Sequence, residues 1–271
     1  MTSGRGRQPR AITIAGSDSG GGAGIQADLK VFQALGVFGT AAVTAITAQN
    51  TRGVTGAWPV PPEVIAAQID AVLSDIEVDA AKTGMLHSPP VVEAVAEALA
   101  RHPVPHLVVD PVIVAKDGSA LLDEQGVESL KSKLLPMAAV VTPNTIEAAA
   151  LAGMPIESVE SAREAARRIR DLGPAAVLVK GGHLPDSPVD VFFDGKECVE
   201  LRSERRPGPP VHGTGCVLSA AIAAYLARGL SITEAVTRSH SFVGEAIRSA
   251  FMVGRGHPVC GLPAHAAPER S

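Results

Sequence analysis

Cysteine is scarce in this chain: three among 271 residues, Cys198, Cys216 and Cys260, odd in number, widely spaced and without a CxxC pair. That pattern excludes a disulfide framework and a paired-cysteine zinc site, and it fits a reducing cytoplasm. Charge of one sign is lacking as well. Lys and Arg total 24 against 28 Asp and Glu, a net charge of -4 mixed along the sequence, which leaves no electrostatic footprint for nucleic acid and none for a membrane surface. No long apolar run is present. The longest, Cys216 to Ala227, is interrupted by Ser219 and Tyr225 and falls short of the roughly 20 residues a spanning helix needs, so it predicts a buried helix. The polar, basic stretch Thr2 to Arg10 has no apolar core behind it, which argues against a secretory signal and for a flexible tail.

What the chain does have is apolar content, 46% of its residues, enough for one large α/β core. No repeat and no internal boundary are visible, so a single domain is expected over residues 11–256, with tails at 1–10 and 257–271. Short β-rich runs alternate with alanine-rich helical ones. The strands are expected at Ala11–Ala15, Ala42–Thr47, Ala80–Thr83, Leu107–Asp110, Ala139–Thr142 and Ala176–Lys180. Between them, Ile25–Leu35, Glu63–Leu73, Val91–Ala100, Ala162–Leu172 and Val217–Ala227 carry apolar residues at helical spacing. That alternation predicts parallel βαβ units and a three-layer α/β/α sandwich. Asp194-Gly195, inside Val189–Leu201, signals a hairpin that breaks the parallel pattern once.

Five segments can carry chemistry. Gly16-Ser17-Asp18-Ser19-Gly20-Gly21-Gly22-Ala23-Gly24 follows a strand and precedes a helix through Asp28, where open α/β sheets bind their ligands. It fits neither a P-loop nor a dinucleotide fingerprint, and a flexible turn explains it equally well. His212-Gly213-Thr214-Gly215-Cys216 leads straight into an apolar helix, so free N–H groups and the helix dipole there make an anion hole for a phosphoryl group. The same placement predicts a lowered pKa for the Cys216 thiol, although a small hydrophobe filling a tight helix start is the competing explanation. Asn144 and Glu147, spaced i, i+3, can face a hydrated magnesium ion or can simply form a capping box. Lys180-Gly181-Gly182-His183 places a cation and permissive backbone at a strand end, beside phosphates or merely at the surface. Asp110, before Pro111 and Val112, puts a carboxylate at another strand end, suited to metal or substrate unless it is an ordinary loop residue.

Taken in order, GSDSGGGAGIQADLK (16–30), TAITAQNTRGV (44–54), KTGML (82–86), DPVIVAKDG (110–118), TPNTIEAAAL (142–151), KGGHL (180–184) and HGTGC (212–216) resemble the hydroxymethylpyrimidine/phosphomethylpyrimidine kinases over nearly the whole chain. The resemblance implies a ribokinase-like fold with a mostly parallel central sheet, usually a homodimer, using ATP and Mg2+ to phosphorylate a small-molecule aminopyrimidine twice in thiamin biosynthesis. It further implies a pyrimidine site at Gly16, Asp28, Gln49, Met85 and Val112. Gln49 is the main contact there, since an amide both donates and accepts. On the nucleotide side the resemblance implies Asn144, Glu147, Lys180, Gly181 and Thr214, with Glu147 and Asp110 near magnesium through water. Lys180, Gly213, Gly215 and Cys216 would act on the transferring phosphoryl group. Cys216 stands where most ribokinase-like kinases carry an aspartate, which argues against a sugar or nucleoside kinase and leaves the proton acceptor open. Pyridoxal kinases of the same type share the motifs but typically have a cysteine where this chain has Ala115. A non-catalytic protein on the fold is disfavoured by the intact Lys180, Asn144 and Glu147.

Overall fold

The computed structural model describes residues 7–114, 121–182, 188–204 and 207–263. Among these, nine strands form one sheet in the order β3-β2-β1-β4-β5-β6-β7-β8-β9. They are β1 (Arg10–Asp18), β2 (Phe38–Asn50), β3 (Gly53–Pro59), β4 (Ala80–Thr83), β5 (His106–Val109), β6 (Val140–Val141), β7 (Ala176–Val179), β8 (Val189–Phe193) and β9 (Cys198–Arg202). From β2 across β1, β4, β5 and β6 to β7 every pairing is parallel. Strands β4 to β7 are short and mostly apolar because helices cover both of their faces.

Side chains of these strands alternate between two cores, as the period-2 geometry of a strand requires. Ile12, Ile14, Ala81, Leu107 and Val109 join α2 (Pro62–Leu73), α3 (Pro89–Arg101), α5 (Thr145–Ala152) and α6 (Val159–Asp171) on one face. Ala11, Ala80 and Val108 join α1 (Gly24–Ala34), α7 (Thr214–Ala227) and α8 (Ile232–Arg248) on the other. The short α4 (Glu124–Ser129) continues through a π-helical turn into β6's approach on the first face. The apolar run expected to be a buried helix is α7, in which ten of 14 residues are buried. The three-layer α/β/α sandwich is thus as expected.

Three features differ from expectation. The hairpin expected at Asp194-Gly195 is β8–β9, but the parallel pattern is broken at both ends of the sheet, since β2–β3 and β7–β8 are antiparallel as well. Strand β3 is almost wholly exposed, so it lacks the apolar alternation by which a half-buried strand is recognised. The longest helix, α8, was not anticipated; Ser231 caps it and Glu234 closes a capping box, a start signal present in the sequence. The segments set apart as tails are also bonded to the domain where they are described. Arg7 pairs with Glu77, Arg10 N–H donates to Asp79, His257 N–H donates to Thr51 O, and Val259 bridges to His212 and Phe251. Of the Arg- and Pro-rich stretch 202–210, Arg202 ends β9 and residues 205–206 lie outside the described residues, as do Ala115, Lys116, His183 and Leu184.

This order fixes where a ligand belongs. The strand sequence reverses at β1, with β2 on one side and β4 on the other, and the crevice of such a sheet opens at the carboxyl ends there.

Candidate active site

The glycine-rich segment leaves β1 through a register irregularity between Ala15 and Ser17. It is not a free turn. Asp18 is buried and accepts hydrogen bonds from the N–H groups of Gly20, Gly22 and Ala23 at 2.8, 3.1 and 2.8 Å. Burial works to raise its pKa, but the bonds from His212, Gly20 and Ala23 outweigh this and hold it below the ordinary value. The loop interlocks with the one before α7. Gly213 has φ +83°, and a Cβ there would lie 1.9 Å from Gly22 O; Gly24, φ +56°, would place one 2.3 Å from Gly16 O. Only glycine fits either position.

Helix α7 starts at Thr214 with Gly213 as its cap residue, and no side chain caps that first turn. Its leading N–H groups therefore face the crevice with the helix dipole behind them. A Cβ on Gly215 would lie 3.4 Å from Lys180 Nζ and 3.9 Å from Asp110 Oδ2, so the Lys180 ammonium sits directly over this turn. Cys216 occupies the third helical position, and here the expected low thiol pKa is corrected. Burial pushes the thiol up, and the Asp28 and Asp110 carboxylates add to this. The Lys82 cation and the Gly24 N–H only partly offset them.

Lys180 anchors a buried charge cluster. Its Nζ lies 2.9 Å from Asp110 Oδ1 and 3.9 Å from Glu147 Oε2. Asp110 also accepts from Thr142 Oγ1 and, across the sheet, from Ser219 Oγ of α7. Burial would raise its pKa, yet the Lys180 and Lys82 cations keep it below the usual range. Glu147 behaves oppositely: burial, with Asp110 adding to it, pushes the carboxyl up to about 7 despite Lys180. Asn144 and Glu147 form a capping box at α5, with Asn144 Oδ1 accepting from Ile146 and Glu147 N–H and Glu147 Oε2 accepting from Asn144 N–H. The structural alternative raised for this pair is thus realised. Gly181 N–H donates to Asp190.

At the other side of the crevice, Asp28 is fully buried and accepts from Thr13 Oγ1 at 2.6 Å and Lys82 Nζ at 2.8 Å; its second oxygen has no partner among the described residues. A Cβ on Gly16 would meet Met85 Cε at 2.6 Å, so these two positions touch. Gln49, at the end of β2, lies 3.1 Å from His212 Nε2, which ties that strand end to the loop before α7. Val112 follows Asp110 in a tight turn, its N–H donating to Asp110 O. The fold therefore brings strand ends β1, β2, β4, β5 and β7 and the start of α7 to one crevice. Sequence reasoning gave no role to Lys82, Asp18 or the His212 side chain. A lysine inside the otherwise apolar run Ala80–Thr83 was the available signal for the first, since a fully buried lysine needs a counter-charge. The groove lined by Gln8, Arg10, Phe38, Asp75 and Ile76 lies at the amino ends of β1 and β2, at the opposite end of the sheet.

The phosphomethylpyrimidine kinase family model matches residues 18–260. The chain belongs to this family. A hydroxymethylpyrimidine/phosphomethylpyrimidine kinase of Streptomyces coelicolor is 49% identical over 248 residues, covering 92% of each chain. The thiamine biosynthesis bifunctional protein of Geobacter sulfurreducens is 51% identical over 247 residues, 91% of this chain but 50% of that one, so this chain spans about half the length of its bifunctional relatives. Among solved structures, the Clostridium difficile phosphomethylpyrimidine kinase superposes with TM-score 0.80 at 42% identity, covering 89% of this chain and all of that one. An ADP complex of Bacillus subtilis pyridoxal kinase superposes with TM-score 0.88 at 38% identity, covering 95% of this chain and 98% of that one. The fold of this family member is accordingly the ribokinase-like one.

Proposed function

We propose that this protein transfers the γ-phosphoryl group of ATP to the hydroxymethyl group of 4-amino-5-hydroxymethyl-2-methylpyrimidine, and then a second phosphoryl group to the monophosphate, supplying the diphosphate for thiamin biosynthesis. The observation that carries this reading is the Lys180 ammonium held over the uncapped first turn of α7, at the crevice where the strand ends carrying Gly16 and Gln49 meet. An ammonium and a free helix N-terminus stabilise charge on a phosphoryl group in flight. In the step itself the substrate hydroxyl oxygen bonds to the γ-phosphorus, the bond to the bridging oxygen breaks, ADP leaves and the hydroxyl proton passes to solvent.

Lys180 and the N–H groups of Gly213 to Gly215 bind the phosphoryl oxygens in this reading, with Gly181 lining the same side. Gln49, Asp28, Met85, Gly16 and Val112 hold the pyrimidine. Cys216, protonated at neutral pH because its thiol is pushed up, orients the hydroxyl and is not its base. Positioning and charge stabilisation dominate phosphoryl transfer, so a strong base is not required. Asp110, an ionised carboxylate 2.9 Å from the Lys180 Nζ, would hold a hydrated magnesium ion through water, with Glu147 beside it in a lesser role because one of its oxygens is already spent on a helix cap. When bound, such an ion would supply neutralisation of the phosphate charge.

A cytoplasmic homodimer belongs to the same proposal. It is supported by the exposed Ile46 and Trp58, which pair across β2 and β3 at a sheet edge that would otherwise invite uncontrolled association. Sedimentation of the purified chain as a monomer would remove that part. Lys180→Met should abolish turnover while leaving the KM for the pyrimidine within about threefold; a variant with near-normal kcat would overturn the assignment of the phosphoryl site. Pyridoxal phosphorylation is the second reading, favoured by the likeness to pyridoxal kinases and opposed by Ala115.

A further inference from the structure

Three polar side chains meet at the rim of the crevice, and their protons can be counted. One end of the Gln49 amide lies 3.1 Å from His212 Nε2 and the other 3.1 Å from Thr47 Oγ1. As placed, the nitrogen end faces His212. His212 Nε2 is also 3.2 Å from Asp18 Oδ2. Asp18 accepts three backbone N–H bonds, so it is an ionised, acceptor-only carboxylate, and Nε2 must carry a proton to face it favourably. A protonated Nε2 opposite the amide nitrogen sets two donors against each other.

The other end is equally constrained. Thr47 Oγ1 has a single proton and lies 2.7 Å from Ser17 O, which can only accept, so that proton is committed. Toward Gln49 the hydroxyl is then an acceptor and requires a donor. Turning the amide end for end gives Thr47 a donor and lets the single Nε2–H of His212 be shared between Asp18 Oδ2 and the amide oxygen, so neither clash remains. The two orientations have nearly the same shape, so hydrogen-bond partners decide between them.

From this we infer that His212 and Thr47 are positioning residues that lock the Gln49 amide with its oxygen toward His212 and its nitrogen toward Thr47, making Gln49 a one-way reader of the substrate ring. So held, the amide keeps one N–H and one oxygen lone pair for a ligand. The N–H on the Thr47 side suits a ring-nitrogen acceptor, and the oxygen on the His212 side suits an adjacent amino donor. An aminopyrimidine edge carries that pair in one order, and the 4-oxo analogue, with a ring N–H beside a carbonyl, carries the reverse. The inference rests on the placement of the pyrimidine against Gln49.

The test compares kcat/KM for 4-amino-5-hydroxymethyl-2-methylpyrimidine with that for its 4-oxo analogue in the wild type, Thr47→Val, His212→Ala and Gln49→Ala. A site that leaves its own polar groups unpaired against the wrong ligand discriminates strongly, so the wild-type ratio should exceed about a thousand. Either positioning variant should lower that ratio at least tenfold by letting the amide turn, and Thr47→Val answers alone should His212→Ala fail to fold. An unchanged ratio in both variants, with a raised aminopyrimidine KM in Gln49→Ala, overturns the amide lock and keeps the pyrimidine placement. An unchanged KM in Gln49→Ala removes the placement and the lock together.

Discussion

Replacing Lys82 by methionine removes one half of an ion pair whose two side chains are both 0% exposed, with Nζ 2.8 Å from Asp28 Oδ2. Methionine keeps most of the volume, so the loss is electrostatic. Asp28 would retain only the Thr13 hydroxyl as a partner, with its other oxygen already unpaired. Breaking a buried pair in this way costs about 3–5 kcal/mol. With a urea m-value of about 3 kcal/mol/M for a chain of this size, the unfolding midpoint should fall by about 1–2 M. The deficit should be smaller at pH 5 than at pH 8. In the variant the folded-state Asp28 pKa lies above its unfolded value, so stability is lost as pH rises between the two and recovered as pH falls. Adding Asp28→Asn, which leaves two neutral side chains, should restore at least half of the midpoint, because a buried pair is costly to break but cheap to replace. A shift below about 0.3 M for Lys82→Met, or a double variant no more stable than the single one, would refute the reasoning.

Two further outcomes follow from the charge cluster. Glu147, at about 7 in the fold against an ordinary 4.5, keeps a proton that the unfolded chain releases, so stability is lost as pH rises through that window. The loss is at most about 3 kcal/mol; Glu147→Gln should flatten urea midpoints between pH 5 and 7.5, and parallel slopes for the two proteins would contradict the buried-acid assignment. Cys216, with its thiol raised by burial, should be alkylated by iodoacetamide at pH 7.5 at least tenfold more slowly than free cysteine, as read by peptide mass. Labelling as fast as free cysteine would restore the activated-thiol expectation.

The layers, the central strands and the buried helix α7 were legible because each rests on local chemistry: short apolar β runs, apolar positions at helical spacing, and glycines at strand ends. Strand β3 was not, since its face is exposed and its pairing with β2 is decided by the Asn50–Gly53 turn rather than by apolar pattern. Helix α8 was overlooked although its Ser231–Glu234 capping box stands in the sequence. Within the site, the segments that meet at the crevice could be picked out by their glycines and strand-end charges, but their electrostatics could not. The start of a helix lowers a thiol pKa only where solvent or cations dominate, and at Cys216 burial with Asp28 and Asp110 nearby reverses the sign. Lys82, Asp18 and His212 act through partners distant in sequence: His212 meets Asp18 and Gln49, and Lys82 meets Asp28. Such contacts exist only once β1, β2 and β4 are side by side.

The most direct test of the central claim is ATP turnover by the purified protein with hydroxymethylpyrimidine, its monophosphate and pyridoxal as separate substrates, with product masses determined. The account predicts conversion of the first two to the mono- and diphosphate, each at the expense of one ATP. Phosphorylation of pyridoxal alone, or of none of the three, would contradict it.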